Sequence, residues 1–314
     1  MKKKLVAGAV TLLSVVTLAA CANSTNKDVV TMKGDTITVS DFYDEIKSNQ
    51  GAQQVLFQMT INKVFEKEYG SKISDKEVDK ELAKQKKQLG NQFDAYLAQQ
   101  GLTEETAKKQ IRSNMLLEYA VSQAAKKDIK ESDYKTAFES YTPEVTAQII
   151  KLDSEDKAKE VLEAAKAEGA DFAKIAKDNS TDTATKDKGG EVKFDSGTAD
   201  IPSQVKEAAF KLDENGISDV ITVSAGQNYS ASYYIVKLNK KTEKGSDWKK
   251  YEKRLKEIIV NGRKQDTNYI RSIIAKAMTN ANIKVKDDAF KSTFNQYLQN
   301  IGVQTSDSSS SSKK

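Results

Sequence analysis

One cysteine stands in 314 residues, at position 21, so no disulfide can close within a single chain and packing alone must hold the fold. Histidine is absent. That excludes a Ser-His-Asp or Cys-His catalytic set and any His-ligated metal, and one cysteine cannot build a thiolate site. No Gly-Lys-Ser/Thr phosphate loop and no dinucleotide-type glycine cluster occurs. Conventional hydrolases, metalloenzymes and nucleotide enzymes are thereby set aside, and neither metal nor cofactor is implied. Charged residues make up 30% of the chain and hydrophobic ones 38%. That balance suits a helix-rich protein with a solvated surface.

The start of the chain says where it works. Lys2, Lys3 and Lys4 precede an uncharged run from Leu5 to Ala20, which ends in Leu18-Ala19-Ala20-Cys21. The run is short of the about 20 apolar residues of a spanning helix and has the layout of a secretory leader. Leu-Ala-Ala-Cys matches the bacterial lipobox. In signals of that kind the cysteine is lipidated and becomes the new N-terminus. The expectation is a leader over residues 1–20, a lipid on Cys21 and a place on the extracytoplasmic face of the cell membrane. The net charge is +5, of which the three leading lysines supply three, leaving +2. That is too little to argue for a nucleic-acid partner.

Two short strands about a turn at Lys33-Gly34-Asp35 come first, and Ser40 is placed to cap the helix that follows. Residues 53–69 read as a second helix, with Val55, Met59, Asn62 and Glu66 on one line and Leu56, Ile61, Val64 and Phe65 nearby; most of these apolar stripes read as core. Ser74-Asp75-Lys76-Glu77 is a capping box for a third helix. Further helices are expected over 93–99, 103–126 and 132–141, and Pro143 closes this region. From Val145 the pattern changes to β-α-α-β-α-β-β, with strands at 145–150, 191–194, 217–223 and 232–238. Helix returns from Trp248 to Ile274, with a kink expected at Asn261-Gly262, and again over 289–298. The serine-rich end, residues 304–314, has nothing to pack and is expected to be disordered.

The middle segment resembles the parvulin family of peptidyl-prolyl isomerases. The likeness is carried by Gly169-Ala170-Asp171-Phe172-Ala173-Lys174-Ile175-Ala176, Ser180-Thr181-Asp182, Gly189-Gly190, Glu207-Ala208-Ala209-Phe210, Gly216-Ile217-Ser218 and Tyr234-Ile235-Val236-Lys237-Leu238. The opening Lys33-Gly34-Asp35-Thr36-Ile37-Thr38 with Asp41-Phe42, taken with the lipobox, resembles the secretion foldases called PrsA. The resemblance implies an α+β protein. A mainly helical chaperone domain, built from residues 21–142 and 241–303 packed together, would carry an inserted parvulin-like domain at 143–240. It implies unfolded exported polypeptides as partners, and it allows a homodimer.

Active parvulins hold two histidines at the pocket floor. Here the first position falls on Ile149 (or on Gln148 with a one-residue shift) and the second on Tyr234. The family's acidic position falls on Asp182, its apolar proline cradle falls near Ile201 and Val205, and Phe194 follows the Gly-Gly pair. Three readings follow. In one, the module is still an isomerase, with Asp182 and Tyr234 as catalytic residues, Tyr233 beside them, and Ile201, Val205 and Phe194 binding substrate. In another, it is a degenerate parvulin and the protein acts as a chaperone without turnover. The third, a solute-binding lipoprotein, is permitted by the lipobox alone.

Overall fold

The computed structural model describes residues 27–225 and 230–298. The expected leader, Cys21 and the serine-rich tail lie outside the described residues. The chain opens with a hairpin of β1 (Asp28–Met32) and β2 (Asp35–Thr38), then α1 (Val39–Ile46) and α2 (Gln50–Tyr69). Four helices follow: α3 (Asp75–Leu89), α4 (Phe93–Gln99), α5 (Glu104–Lys127) and α6 (Glu131–Ser140). The middle segment is β3 (Val145–Leu152), α7 (Glu155–Lys166), α8 (Phe172–Asn179), β4 (Glu191–Phe194), α9 (Ser203–Lys211), β5 (Ile221–Ala225) and β6 (Ser230–Lys241). Helices α10 (Glu252–Gln265), α11 (Thr267–Asn280) and α12 (Lys291–Leu298) complete it. The architecture is α+β, mainly helical, with the expected β-α-α-β-α-β-β order in the middle. Among the described residues no helix is long and apolar enough to cross a membrane.

Local chemistry accounts for the helix starts. Ser74 Oγ accepts from Glu77 N while Ser74 N donates to the Glu77 carboxylate at 2.8 Å, the expected capping box. At the first helix the structure corrects the sequence reading. Thr38 is the cap, and Ser40 lies inside α1. Thr38 N donates to Asp41 Oδ2 at 2.9 Å and Asp41 N donates to Thr38 Oγ1 at 3.2 Å. Strand β2 ends at Thr38, paired to Asp28, so the helix must begin there. A second correction concerns the break expected at Asn261-Gly262. Helix α10 runs through both residues. The interruption comes at Asp266, whose Oδ1 accepts from Asn268 N at 2.8 Å and Tyr269 N at 3.2 Å and so starts α11.

The chain divides into two compact units, one of residues 1–71 and 274–314, the other of residues 72–273. In the first, α2 packs on α12. Phe57 is buried there, stacked on Tyr297 at 4.2 Å between centroids and edge-on to Phe294 at 5.3 Å. Gln53 Nε2 donates to the Ala289 carbonyl, and Thr293 Oγ1 donates to Gln53 Oε1, both at 3.0 Å. Phe57, Ile61, Val64 and Phe65 therefore face the core. Val55 and Met59, expected on a core stripe, are 59% and 52% exposed.

In the second unit, α5 packs on α10 and α3, and α6 also meets α10. Ile111, Leu116, Ala120 and Val121 of α5 and Leu255 and Val260 of α10 are buried. Within each unit, helices from before the middle segment pair with helices from after it. The middle segment forms a four-stranded antiparallel sheet in the order β4-β3-β6-β5. Strand alternation sorts its side chains to two faces. Ile150, Leu152 and Ile235 pack under α7 and α8, whereas Val145, Ala147, Ile149, Val236 and Leu238 pack with Val205 and Ala209 of α9. Residue Gly190 holds the loop against β3. Its φ is +79°, and an added Cβ would fall 2.5 Å from the Ile149 carbonyl oxygen.

Candidate prolyl-binding site

The α9 face of the sheet gathers four of the five expected site residues. Phe194, at the end of β4, and Val205, on α9, are sealed in that face at 1% and 0% exposure. Ile201, in the loop before α9, and Tyr234, on β6, are half-buried and pack against the same cluster. Ile201 and Tyr234 thus form the more exposed edge of this cluster, and Phe194 and Val205 its buried interior. Phe194 is braced from the side by Phe210, 5.7 Å away between centroids.

Ile149 also belongs to this face, and it pairs in register with Val236, two residues from Tyr234. Gln148 has the opposite parity on β3, and its Nε2 donates to the Gly189 carbonyl at 2.9 Å. Of the two alignments for the first missing histidine, only Ile149 shares a face with Tyr234. The two positions expected from the resemblance to carry imidazoles hold an alkyl chain and a phenol. Tyr233 does not join them, because it packs with the cluster under α7 and α8. This corrects its placement beside Asp182 and Tyr234, and the cause is the two-residue period of the strand.

Asp182 sits in the loop after α8. Its Oδ1 accepts from Ala184 N at 3.1 Å and its Oδ2 from Thr185 Oγ1 at 2.6 Å. The loop is fixed below by Ser180, 1% exposed, whose Oγ accepts from Lys151 N at 3.1 Å and Asp182 N at 3.2 Å. Burial raises the Tyr234 phenol above its ordinary range, and the charges of Asp182 and Asp153 raise it further. Tyr234 is thus a neutral hydroxyl near neutral pH. It has no hydrogen-bond partner among the described residues. Such a group can donate to a carbonyl oxygen but cannot shuttle protons as a histidine does. Among the described residues no three His, Cys, Asp or Glu side chains cluster to hold a metal.

A second polar centre escaped the sequence reading. Asp195, 6% exposed, follows β4 and accepts a two-pronged pair from Arg254 of α10: Nε to Oδ2 at 2.6 Å and Nη2 to Oδ1 at 2.8 Å. Tyr141 Oη donates to Oδ2, and Gly197 N and Thr198 Oγ1 donate to Oδ1. Burial alone would raise the Asp195 carboxyl, but the hydrogen bonds and charge of Arg254, helped by Thr198 and Tyr141, leave it below its ordinary value. Two signals were present. Asp195-Ser196-Gly197-Thr198 has the composition of a side-chain-closed turn. Arg254 is one of only four arginines in a lysine-rich chain, and arginine supplies the planar fork that a carboxylate pair needs.

Comparison with known proteins agrees with this architecture. Residues 141–240 match the family model described as Rotamase, PPIC-type PPIASE domain. Over 96% of this chain and 90% of its relative, the sequence is 62% identical to the foldase protein PrsA of Streptococcus sanguinis. Identity is 59% to the PrsA of Streptococcus gordonii, over the full length of both. The crystal structure of foldase protein PrsA from Streptococcus pneumoniae superposes with a TM-score of 0.81 at 54% identity, covering 86% of this chain and 99% of that one. That of PrsA from Lactococcus lactis gives 0.64 at 38% identity, covering 87% and 99%. With such identity over nearly the whole length of this chain and of its relatives, the chain belongs to the PrsA foldase family.

Proposed function

We propose that this protein is a foldase held by a lipid on Cys21 at the extracytoplasmic face of the cell membrane, where it assists unfolded exported polypeptides. Residues 143–240 form its prolyl-binding module, carried between helical regions 21–142 and 241–303. The leader, the lone cysteine at its end and the family membership support the location. The α9 face carries the prolyl reading: a sealed apolar floor of Phe194 and Val205, with Ile201 at its rim beside the Tyr234 hydroxyl, which has no hydrogen-bond partner among the described residues. No metal and no cofactor enters this reading.

Rotation about an X-Pro bond is slow because partial double bonding leaves a barrier of about 18–20 kcal/mol. A site lowers it by holding the twisted amide better than either planar form. The apolar floor withdraws water, which disfavours the more dipolar planar amide. Tyr234 orients the segment by donating to a carbonyl oxygen. Asp182, tied by Ala184 N and Thr185 Oγ1, lies near the phenol and adds to the rise that burial causes. The test is exchange NMR on a blocked Ala-Ala-Pro-Phe peptide with the full chain. Acceleration that falls in Tyr234→Phe supports the reading. An unaccelerated peptide that also fails to bind rejects it.

Chaperone action without turnover is a second reading, and one observation favours it. Val55, Met59, Phe42, Val29 and Met32 are more than half exposed, with Val30 close to half. Exposed apolar groups of this kind hold unfolded chains with broad selectivity. Replacing Val55 and Met59 by serine should weaken suppression of aggregation and leave prolyl exchange unchanged. Equal suppression by the variant would remove this support.

A further inference from the structure

The prolyl site's wall is fixed from outside the parvulin-like module. The turn Asp195–Thr198 leaves β4 directly after Phe194 and leads in three residues to Ile201. It is gripped on three sides. Helix α10 supplies Arg254 to the Asp195 carboxylate, and its Ile258 lies so close to Gly197 that a Cβ there would fall 2.4 Å from Ile258 Cγ1. The entry strap supplies Thr142, whose N donates to Ser196 Oγ at 2.9 Å and whose carbonyl accepts from Ser196 N at 3.1 Å. Helix α9 supplies Lys206, whose Nζ donates to the carbonyls of Ser196 and Thr198. Lys206 adjoins Val205 of the floor. One turn therefore ties a helix beyond the module to both the rim residue Ile201 and the floor helix.

We infer that Arg254 and Gly197 are positioning residues for the prolyl site, setting where Ile201 and α9 stand relative to Tyr234, so that the helical region of this unit and the prolyl site are mechanically coupled. The inference rests on the prolyl-binding reading for its ligand, but its geometric part stands without a ligand. A bidentate guanidinium–carboxylate pair fixes angle as well as distance, and a lysine cannot reproduce it. A carboxylate left buried without its cation must recruit water or move, and the turn moves with it. A side chain at Gly197 would force Ile258 to shift, so the glycine lets α10 and the turn approach closely.

The test uses the full chain with isotopically labelled isoleucine methyls, and the variants Arg254→Lys, Gly197→Ala and Glu257→Gln. Glu257 is the control, since it accepts from Arg254 Nη1 at 3.0 Å but is half exposed and does not touch the turn. Arg254→Lys and Gly197→Ala should each move the Ile201 methyl resonance and speed amide exchange in residues 195–201. They should weaken binding of the blocked Ala-Ala-Pro-Phe peptide by about tenfold, with the methyls of Ile61 and Ile111 unmoved. Glu257→Gln should change none of these. Unmoved Ile201 resonances in both turn variants overturn the inference, as does an equal response in Glu257→Gln. Failure of the unsubstituted protein to bind the peptide counts against the prolyl reading alone, and the Ile201 resonance and exchange rates then decide the coupling.

Discussion

Three glycine-to-alanine substitutions separate backbone strain from steric overlap. At Gly190 both act: φ is +79°, and the new Cβ would sit 2.5 Å from the Ile149 carbonyl oxygen, 3.0 Å from Ile149 N and 3.2 Å from the Ala176 Cβ. The left-handed conformation costs an L-residue about 1–2 kcal/mol. Forcing the loop off β3 adds about 1–3 kcal/mol and strains the bond from Ile149 N to the Gly190 carbonyl, now 2.8 Å. At Gly169, φ is +77° but nothing lies within 4 Å, so only the first cost applies. At Gly262, inside α10, nothing lies within 4 Å and φ is not left-handed, so alanine should stabilise by about 0.5–1 kcal/mol. Urea unfolding followed by circular dichroism and by the one tryptophan, Trp248, stacked on Tyr134 at 5.1 Å, reads all three. A loss of about 3 kcal/mol at Gly190 lowers the midpoint by about 1–3 M. If Gly190→Ala costs no more than Gly169→Ala, the close approach of the Gly-Gly loop to β3 does not hold the sheet as described.

Ser180→Ala leaves the amides of Lys151 and Asp182 without their acceptor and should cost about 1–3 kcal/mol, again read by urea unfolding. Phe57→Ala removes the ring stacked between Tyr297 and Phe294 and should cost about 3–5 kcal/mol, seen as faster amide exchange in α2 and α12 with α5 unchanged. Asp195 has a native carboxyl below its unfolded value of 3.8, so its contribution is complete above about pH 4 and is lost as pH falls through the native value. Asp195→Asn should therefore flatten acid destabilisation in that range; an unchanged acid limb in a pH series of unfolding midpoints would contradict the pairing.

Features encoded within a few residues of each other were legible in the sequence. The Ser74 capping box and the strand opening at Val145 each depend on neighbours three or fewer positions apart, and each starts where it was read. Choices between equivalent neighbours were not legible. Thr38 and Ser40 can both cap, and strand pairing to Asp28 decides. Apolar residues surround α2, and Phe294, far along the chain, selects Phe57 over Val55 and Met59 for burial. The site divides the same way. The Gly-Gly loop and the order of strands carried the likeness. The Asp195–Arg254 pair joins residues 59 apart, and no local spacing encodes it.

Scaffold and proposed site overlap in this module, because Phe194 and Val205 belong both to the core on the α9 face and to the floor of the prolyl reading. The sheet is held by its two apolar faces, the Gly190 approach and the Ser180 tie, and in the prolyl reading the α9 face also serves as the floor of the site. In the prolyl reading Ile149 takes a position the resemblance assigns to imidazole, and among the buried Val, Ala, Leu and Phe of this face an alkyl chain needs no polar partner. What the face loses is polarisable donor–acceptor chemistry, and what it keeps is exclusion of water plus one neutral hydroxyl at Tyr234. Each tenfold in rate requires about 1.4 kcal/mol of selective hold on the twisted amide. A hold without selectivity gives binding and no acceleration. Tyr234→Phe distinguishes the two. If the hydroxyl only anchors the peptide, affinity falls and the rate at saturation stays. If it recognises the twisted amide, the rate falls and affinity stays.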